Sequence, residues 1–239
     1  MNARARRFLN ALRLVFKVQW KTGFPVIYAL LAGLTVAGLR LTPLRDYREL
    51  LLPALQLGEY ATLTLILVAA HRYLERNERS ELALVVTPLR RGEYVAALAL
   101  GSAIVPTVVG VGVQAGALGV DARLWYLPAP LLLTATFCGL LAIVLAARHD
   151  EFTGFLIGSL IPAMAVLSLP FLSYFEVLPR GSLVWLPTDG ALFAFANSAA
   201  VTPTFTAFAL SVAALAIWNA VALRAAARAF DAGLRASAG

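Results

Sequence analysis

The sequence predicts an all-α, polytopic integral membrane protein with six transmembrane helices, an N-terminal interfacial helix and a re-entrant extracellular hairpin before the last span. Of its 239 residues, 60% are hydrophobic and only 14% are charged, and the mean hydropathy is +0.79. A soluble domain is nearer half apolar and a quarter charged. The apolar residues also form runs close to the roughly 20 residues that a helix needs to cross a bilayer. This composition excludes an ordinary soluble domain, a disordered chain and a disulfide scaffold.

Residues 4–21 predict an amphipathic helix that lies in the membrane interface. At about 100° per residue, its apolar and basic side chains fall on opposite faces, and the cations would meet anionic headgroups. The apolar face holds Phe8, Leu9, Leu12, Val15, Phe16 and Trp20, and the polar face holds Arg6, Asn10, Arg13, Lys17 and Lys21. The alternative is a soluble helix packed on a partner. Gly23 and Pro25, which would turn the chain directly into the first span, favour the interface.

Six apolar runs predict the spans, and the segment before the last run predicts the hairpin. The runs are 24–39, 50–70, 94–118, 127–147, 152–172 and 204–223. The stretch 177–200 is also apolar, but Pro179 and Pro187 disfavour a continuous spanning helix there. We therefore expect 173–203 to be an extracellular re-entrant segment within a single transmembrane domain that covers residues 1–239.

The distribution of basic residues predicts the orientation of the spans. Of the 20 lysines and arginines, 15 fall at the N-terminus, in the second and fourth connections and in the tail, and five fall on the other side. The richer side should be cytoplasmic, so both termini are expected inside a multi-pass protein of the plasma (inner) membrane. This placement accounts for the net charge of +7 without a nucleic-acid partner, since the basic residues flank spans that lie in the lipid bilayer.

No residue pattern predicts catalysis or a bound cofactor. Cys138 is the one cysteine, and neither His71 nor His149 has a partner at metal-ligand spacing. A membrane enzyme would need a cluster of His, Asp or Glu or a Ser–His dyad in the spans, and the sequence indicates neither. We therefore expect no catalytic residue, cofactor or metal in this chain.

Two polar residues, Glu59 and Gln114, lie within the predicted spans. A carboxylate in mid-bilayer costs about 2.5–3.5 kcal/mol on insertion scales, so Glu59 must face the bundle interior, a cavity or a partner, or be protonated. One reading makes both residues part of a substrate path, with Glu59 attracting a cationic substrate. The other gives Glu59 an interhelical hydrogen bond to a neighbour such as Gln114, Thr35 or Thr64.

The connection 71–93 has the most informative pattern. A lead-in with charges of both signs precedes an apolar helical face formed by Leu82, Val85, Val86 and Leu89. Thr87 and Pro88 would stop or kink this helix. Its apolar face either seeks a partner surface or folds onto the inner ends of the neighbouring spans, and the pattern leaves both open.

Two stretches of the chain resemble a known family, the ABC-2 type export permeases. Their cytoplasmic loop between the second and third spans is similar to Glu75-Arg-Asn-Glu-Arg-Ser-Glu-Leu-Ala-Leu-Val-Val-Thr-Pro-Leu followed by Gly92-Glu93-Tyr94. Their fluoroquinolone export branch has a segment that looks like Leu178-Pro-Arg-Gly-Ser-Leu-Val-Trp-Leu-Pro-Thr-Asp-Gly190. The six spans, the interfacial helix and the hairpin match the architecture of that family as well.

The resemblance implies a subunit of an ATP-driven exporter. Two copies, or this chain and a related permease, would form the path for a hydrophobic or amphipathic small molecule such as a drug. A separate ABC ATPase chain, which binds ATP and Mg, would supply the power, and the sequence itself has no G-x-x-x-x-G-K-[S/T] phosphate loop. The residues that would couple to the ATPase are Glu75, Arg76, Glu78, Leu82, Val85, Val86, Thr87 and Pro88.

The resemblance also places the first and fifth spans at a dimer interface. Gly154 and Gly158 in the fifth span form a small-x-x-x-small pair, which lets helices approach closely, so they are candidates for that interface. The alternative to the exporter is a self-sufficient, proton-coupled secondary transporter that uses Glu59. Such carriers often show two-half internal symmetry, and this sequence has no convincing internal repeat.

Overall fold

The computed structural model describes residues 3–78, 90–179, 183 and 185–238, and all of its long elements are helices. The helices are α1 (Ala3–Lys21), α2 (Phe24–Leu41), α3 (Arg48–Asn77), α4 (Arg91–Leu118), α5 (Pro128–Ala146), α6 (Phe152–Tyr174), α7 (Pro187–Ala199) and α8 (Phe205–Ala238). Short 3₁₀ turns, Pro43–Tyr47 and Ala122–Tyr126, precede α3 and α5. No strand occurs in this part of the chain, which confirms the predicted all-α class.

Each of the six predicted spans lies in a helix that is long and apolar enough to cross a membrane. Two of these helices extend well beyond the predicted run: α3 continues to Asn77 and α8 to Ala238. Because α3 continues and α4 begins at Arg91, the connection predicted as 71–93 is shorter than expected. The predicted spans were ended where charged residues begin, but in α3 and α8 these charged residues belong to the same helix.

The core of the bundle is formed by α3, α4 and α5. In these three helices, 50%, 56% and 67% of the most apolar stretch is buried inside the protein, whereas the corresponding values for α2, α6 and α8 are 17%, 28% and 11%. Poorly buried, apolar helices must face lipid or another subunit. The chain by itself therefore leaves three of its six spans largely uncovered.

Helix α1 uses only part of its predicted apolar face to contact the bundle. Val15 is 3% exposed and packs against α4, where a Cβ on Gly101 would lie 2.8 Å from Val15 Cγ1. Gln19 Nε2 donates to Ser102 Oγ on the same helix at 2.8 Å. Trp20, in contrast, is 66% exposed. One part of the apolar face of α1 therefore packs on the bundle, and the other part, with Trp20, is exposed and suited to membrane headgroups.

A π-helical turn, Leu156–Leu160, interrupts α6. Pro162 follows it closely, and because proline has no amide hydrogen, it cannot donate to the carbonyl four residues earlier. A turn that widens the helix at this point is a common response to such an interruption. The turn brings small side chains of α6 close to the end of α5.

Helix α7 has 13 residues, which corresponds to about 20 Å and is too short for a bilayer core of about 30 Å. Its first residue, Pro187, lines the same cavity as Phe137 of α5, and its last residue, Ala199, accepts a hydrogen bond from Arg123 Nη1 at 3.3 Å. The segment 173–203 is therefore not a continuous spanning helix. Its placement as a re-entrant hairpin stays a prediction.

Arg123 also organises the end of the bundle that the charge distribution predicts to be extracellular. Its Nη1 lies 3.3 Å from Glu49 Oε1, and its Nε donates to Asp121 Oδ2 at 2.6 Å. The guanidinium holds the pKa of the Asp121 carboxyl below its usual range. Arg123 thus ties the start of α3 to the turn before α5 and to the end of α7.

Candidate functional site

Glu59 lies on α3 beside an open groove of about 570 Å³ between α2, α3 and the end of α6. The groove is lined by Leu31, Leu51, Ala54, Leu55, Gly58, Glu59, Thr62, Leu63, Phe171 and Phe175. Among the described residues that line the groove, Glu59 is the one that is charged. Thr62, the other polar residue, donates to Met164 Sδ at 3.1 Å. We name this feature the Glu59 groove.

The Glu59 carboxylate is also hydrogen-bonded within the chain. Thr35 Oγ1 on α2 donates to Glu59 Oε1 at 2.7 Å. Thr35 was one of the three neighbours considered as a structural partner, and the side chain of Glu59 is only partly buried. The Glu59 carboxyl group therefore joins two helices and also places a polar group in an apolar groove, which is the arrangement that orients a ligand in many small-molecule sites.

Gln114 does not lie with Glu59. Its side chain is 1% exposed, Nε2 donates to the Ser198 carbonyl at 2.9 Å, and Oε1 accepts from Ser198 Oγ at 3.2 Å. These bonds join α4 to α7. The structure therefore places the two candidate path residues in different parts of the bundle, and the Gln114 amide is occupied by contacts within the chain.

Gly154 and Gly158 face a side chain of the same subunit. A Cβ on Gly158 would lie 2.7 Å from His149 Cε1, and a Cβ on Gly154 would lie 3.6 Å from His149 Nδ1. Both glycines are nevertheless exposed on their other side. Their role at a dimer interface stays a prediction, but the space that they leave already admits the His149 ring.

The same ring forms a contact that sequence reasoning missed. His149 Nε2 lies 2.7 Å from Ser159 Oγ, so a Ser–His pair exists although none was expected. The π-helical turn in α6 presents Ser159 to His149 across ten residues, and spacing alone does not reveal it. Within the described residues no carboxylate is hydrogen-bonded to His149 Nδ1, so the pair lacks the orienting group of a catalytic triad.

The polar residues at the end of α3 form a largely covered cluster, whereas the sequence indicated an exposed charged segment before the loop. Glu75, whose side chain is 18% exposed, lies 3.3 Å from His71 Nε2 and accepts from Arg72 Nη1 at 2.8 Å. It also accepts a hydrogen bond from the Tyr94 hydroxyl on α4. The expected coupling residue Glu75 thus holds together the two helices that flank residues 79–89.

The long tail of α8 covers this cluster. The Arg72 guanidinium carbon lies 4.5 Å from the centroid of the Phe230 ring, and the ring centroids of Tyr94 and Phe230 are 5.5 Å apart. Arg91 Nη1 and Asp231 Oδ1 add an ion pair at 3.0 Å. We name His71, Arg72, Glu75, Tyr94 and Phe230 the loop-base cluster.

The other expected coupling residues have different surroundings. Arg76 Nη1 donates to the His149 carbonyl at 2.9 Å, and its Nη2 lies 3.3 Å from Asp150 Oδ1, so it joins α3 to the end of α5. Glu78 is exposed and follows the last residue of α3. The remaining five residues lie outside the described part of the chain: Leu82, Val85, Val86, Thr87 and Pro88.

The described residues contain no group of three His, Cys, Asp or Glu side chains that could hold a metal ion. The single cysteine, Cys138, is buried. The fold, the uncovered apolar helices and the groove with one carboxylate together define a multi-pass helical membrane protein with features of a permease.

Comparison with known proteins identifies the family. Residues 6–235 match the fluoroquinolones export permease protein family, and the chain belongs to this family. It is 27% identical over 186 residues to the fluoroquinolones export permease protein of Mycobacterium tuberculosis strain CDC 1551 / Oshkosh, over 78% of each chain. The protein of the same name from strain H37Rv is similar to the same extent, 27% over 186 residues and 78% of each chain.

Proposed function

We propose that this chain is the membrane-spanning subunit of an ATP-driven ABC exporter. It forms the substrate path together with a second permease, identical or related, and it couples to a separate ATPase chain. The observation that carries the proposal is the Glu59 groove, because a half-open apolar groove with one carboxylate is incomplete as a path through the membrane. Membership of an export permease family supports the same conclusion.

A second permease subunit would close the groove. The groove runs between α2 and α6, which are poorly buried in the single chain, and both helices expose apolar residues such as Leu30 (64%) and Ile161 (63%). A twofold axis through this face would bring together two Glu59 grooves, since a twofold interface uses the same patch on both subunits. The candidate pair Gly154 and Gly158 also lies on α6, but Gly158 lines the cavity between α5, α6, α7 and α8, so a role for the pair at this interface stays a prediction.

Coupling to the ATPase is assigned to residues 79–89 and to the exposed Glu78 beside them. The loop-base cluster supports this role, because it fixes the ends of α3 and α4 between which the loop must be held. Movement imposed on the loop by ATP-driven closure of the ATPases would then pass directly into two of the three core helices. ATP and Mg²⁺ would be bound by the ATPase chain.

The substrate class follows from the chemistry of the groove. Its lining is apolar except for Glu59 and Thr62, which favours a hydrophobic or amphipathic small molecule that carries a positive charge. The relatives are named for the export of fluoroquinolone drugs, and a drug of amphipathic character fits the same description. The membrane concerned is the plasma membrane, with both termini in the cytoplasm.

A cysteine cross-linking experiment tests the coupling and the topology together. The native Cys138 is buried, so an introduced cysteine can be modified selectively. Glu78→Cys should cross-link to a co-purified ATPase and react with impermeant reagents only from the cytoplasm. Val120→Cys is a matched control because Val120 is 86% exposed at the opposite end of α4. Cross-links from position 120 but not from 78, or labelling of position 78 from outside, would overturn the proposal.

The alternative, a proton-coupled secondary transporter, is favoured only by the position of Glu59 in the groove. A carrier of that kind would transport without an ATPase, and its rate would follow the pH gradient. Purification from native membranes separates the two possibilities, since an exporter of the proposed type should retain an ATPase chain and a carrier should not.

A further inference from the structure

We propose that a second pocket, on the opposite side of α6 from the Glu59 groove, binds amphiphilic molecules whose anionic group is held by Arg148. This pocket, named here the Arg148 pocket, has a volume of about 410 Å³ and lies between α5, α6, the start of α7 and α8. Drug-sized ligands occupy pockets of roughly 300–1,000 Å³. This binding does not depend on the proposed export function.

One wall of the pocket is an apolar stripe that ends in a cation. Phe137, Leu141, Leu145 and Arg148 all line it, and in α5 the first three are four residues apart, which places them on the same helix face. Arg148 follows two residues after the last residue of α5. From the middle of the membrane to its edge, this wall therefore consists of the aromatic side chain of Phe137, two leucines and the positively charged Arg148.

The other walls of the pocket, formed by α6, the start of α7 and α8, are almost entirely uncharged. Trp218 on α8 and Ala163 on α6 line them, and small residues after the π-helical turn leave the cavity open. The hydroxyl of Ser159, one of the few polar groups in the lining, is already bonded to His149 at 2.7 Å. A ligand would therefore find an apolar enclosure and one available charged group.

Arg148 is the available charge. Its side chain is exposed, and within the described residues it forms no ion pair. It lies at the end of the bundle that the charge distribution predicts to be cytoplasmic, at headgroup depth, where an arginine meets carboxylate or phosphate groups of amphiphiles. The complementary ligand has an apolar body and an anionic group at one end.

A nearby cavity shows why the Arg148 pocket is the better candidate. Arg72 and Arg76 line a space of only about 30 Å³, which admits little more than a water molecule. Both of these arginines already have acidic partners, Glu75 and Asp150. The Arg148 pocket has a larger volume, and its cation forms no ion pair with the residues that the structure describes.

Tryptophan fluorescence can test the proposal on the purified chain. Of the four tryptophans, only Trp218 lines the pocket. In a triple variant that combines Trp20→Phe, Trp125→Phe and Trp185→Phe, the remaining fluorescence therefore comes from Trp218 and reports on the pocket. The probe is 11-bromoundecanoic acid, whose bromine quenches fluorescence, and the comparison compound is its methyl ester. We expect saturable quenching by the acid, with an apparent affinity about tenfold higher than that of the ester.

Two substitutions in this single-tryptophan chain make the test specific. Arg148→Gln should lower the affinity for the acid to that for the ester, and Ala163→Phe should fill the pocket and weaken both. A chain that keeps only Trp125, which is 83% exposed, measures quenching by probe that merely partitions into the micelle. Equal affinity for acid and ester, or an acid affinity unchanged by Arg148→Gln, would overturn the proposal.

Vesicles identify the natural source of the anion. In phosphatidylcholine vesicles that contain phosphatidylglycerol, competition with the acid would support the site and identify a lipid headgroup as its occupant. Undiminished binding would support the site with a free amphiphile as its occupant. Because neither measurement includes an ATPase or transport, failure of the export proposal leaves this result unaffected, and the reverse also holds.

Discussion

Replacing Glu75 with glutamine should destabilise the protein although this residue precedes a loop. The carboxylate accepts from Arg72 and Tyr94 and lies 3.3 Å from His71 Nε2, and its side chain is only 18% exposed. Breaking a buried charge network costs roughly 3–5 kcal/mol, and partial exposure reduces this to about 2 kcal/mol. For a chain of this size, that corresponds to a decrease in Tm of about 4–8 °C.

The assay is thermal unfolding of the detergent-solubilised protein, with Glu78→Gln as the matched control. Glu78 is exposed just after the end of the same helix, so its substitution should change stability by no more than about 0.5 kcal/mol. Tyr94→Phe, alone and combined with Glu75→Gln, should reveal a coupling energy of about 1 kcal/mol between the two side chains. Equal Tm values for the Glu75 and Glu78 variants would refute the buried-cluster reasoning.

Three further predictions concern the tail, the π-helical turn and the groove. Phe230→Ala should cost about 3 kcal/mol because the ring is 2% exposed, whereas Phe205→Ala, at a 68% exposed position, should be nearly neutral in the same unfolding assay. Gly158→Ala should destabilise by about 1–2 kcal/mol because its Cβ would lie 2.7 Å from an imidazole carbon; Gly154→Ala, with 3.6 Å, should be tolerated, and equal melting temperatures would contradict this. Glu59→Gln should reduce efflux of a cationic compound more than that of a matched neutral one, and equal loss for both with lower thermal stability would indicate a structural role.

The architecture of the membrane helices could be predicted because it depends on composition along the chain. A run of apolar residues of sufficient length must form a helix in lipid, since no water is present to satisfy its backbone. The ends of α3 and α8 could not be located in this way, because charged residues at headgroup depth continue a helix while ending its apolar run.

The surroundings of individual polar residues were less predictable. The neighbours of Glu75 in sequence indicate an exposed charge, yet its side chain is largely covered and accepts a hydrogen bond from Tyr94. The aromatic ring of Phe230, from the far end of the chain, packs against Tyr94 in the same cluster. The sequence made Gln114 a candidate for the substrate path, but its side chain is hydrogen-bonded to Ser198 of α7. Such contacts depend on which helices become neighbours, and hydropathy does not encode that. The Thr35–Glu59 bond was among the alternatives because a carboxylate within a span needs a hydrogen-bond partner and Thr35 lies in a neighbouring span.

ATP-driven transport by the reconstituted complex tests the central claim most directly. Proteoliposomes that contain this chain and its co-purified ATPase, oriented with the ATPase outside, should accumulate a fluorescent cationic amphiphile when ATP and Mg²⁺ are added. Accumulation should persist when an ionophore abolishes the pH gradient, and it should stop when the ATPase carries an inactivating substitution. Vesicles with this chain alone should neither hydrolyse ATP nor transport. Accumulation by the chain alone that follows an imposed pH gradient would contradict the account.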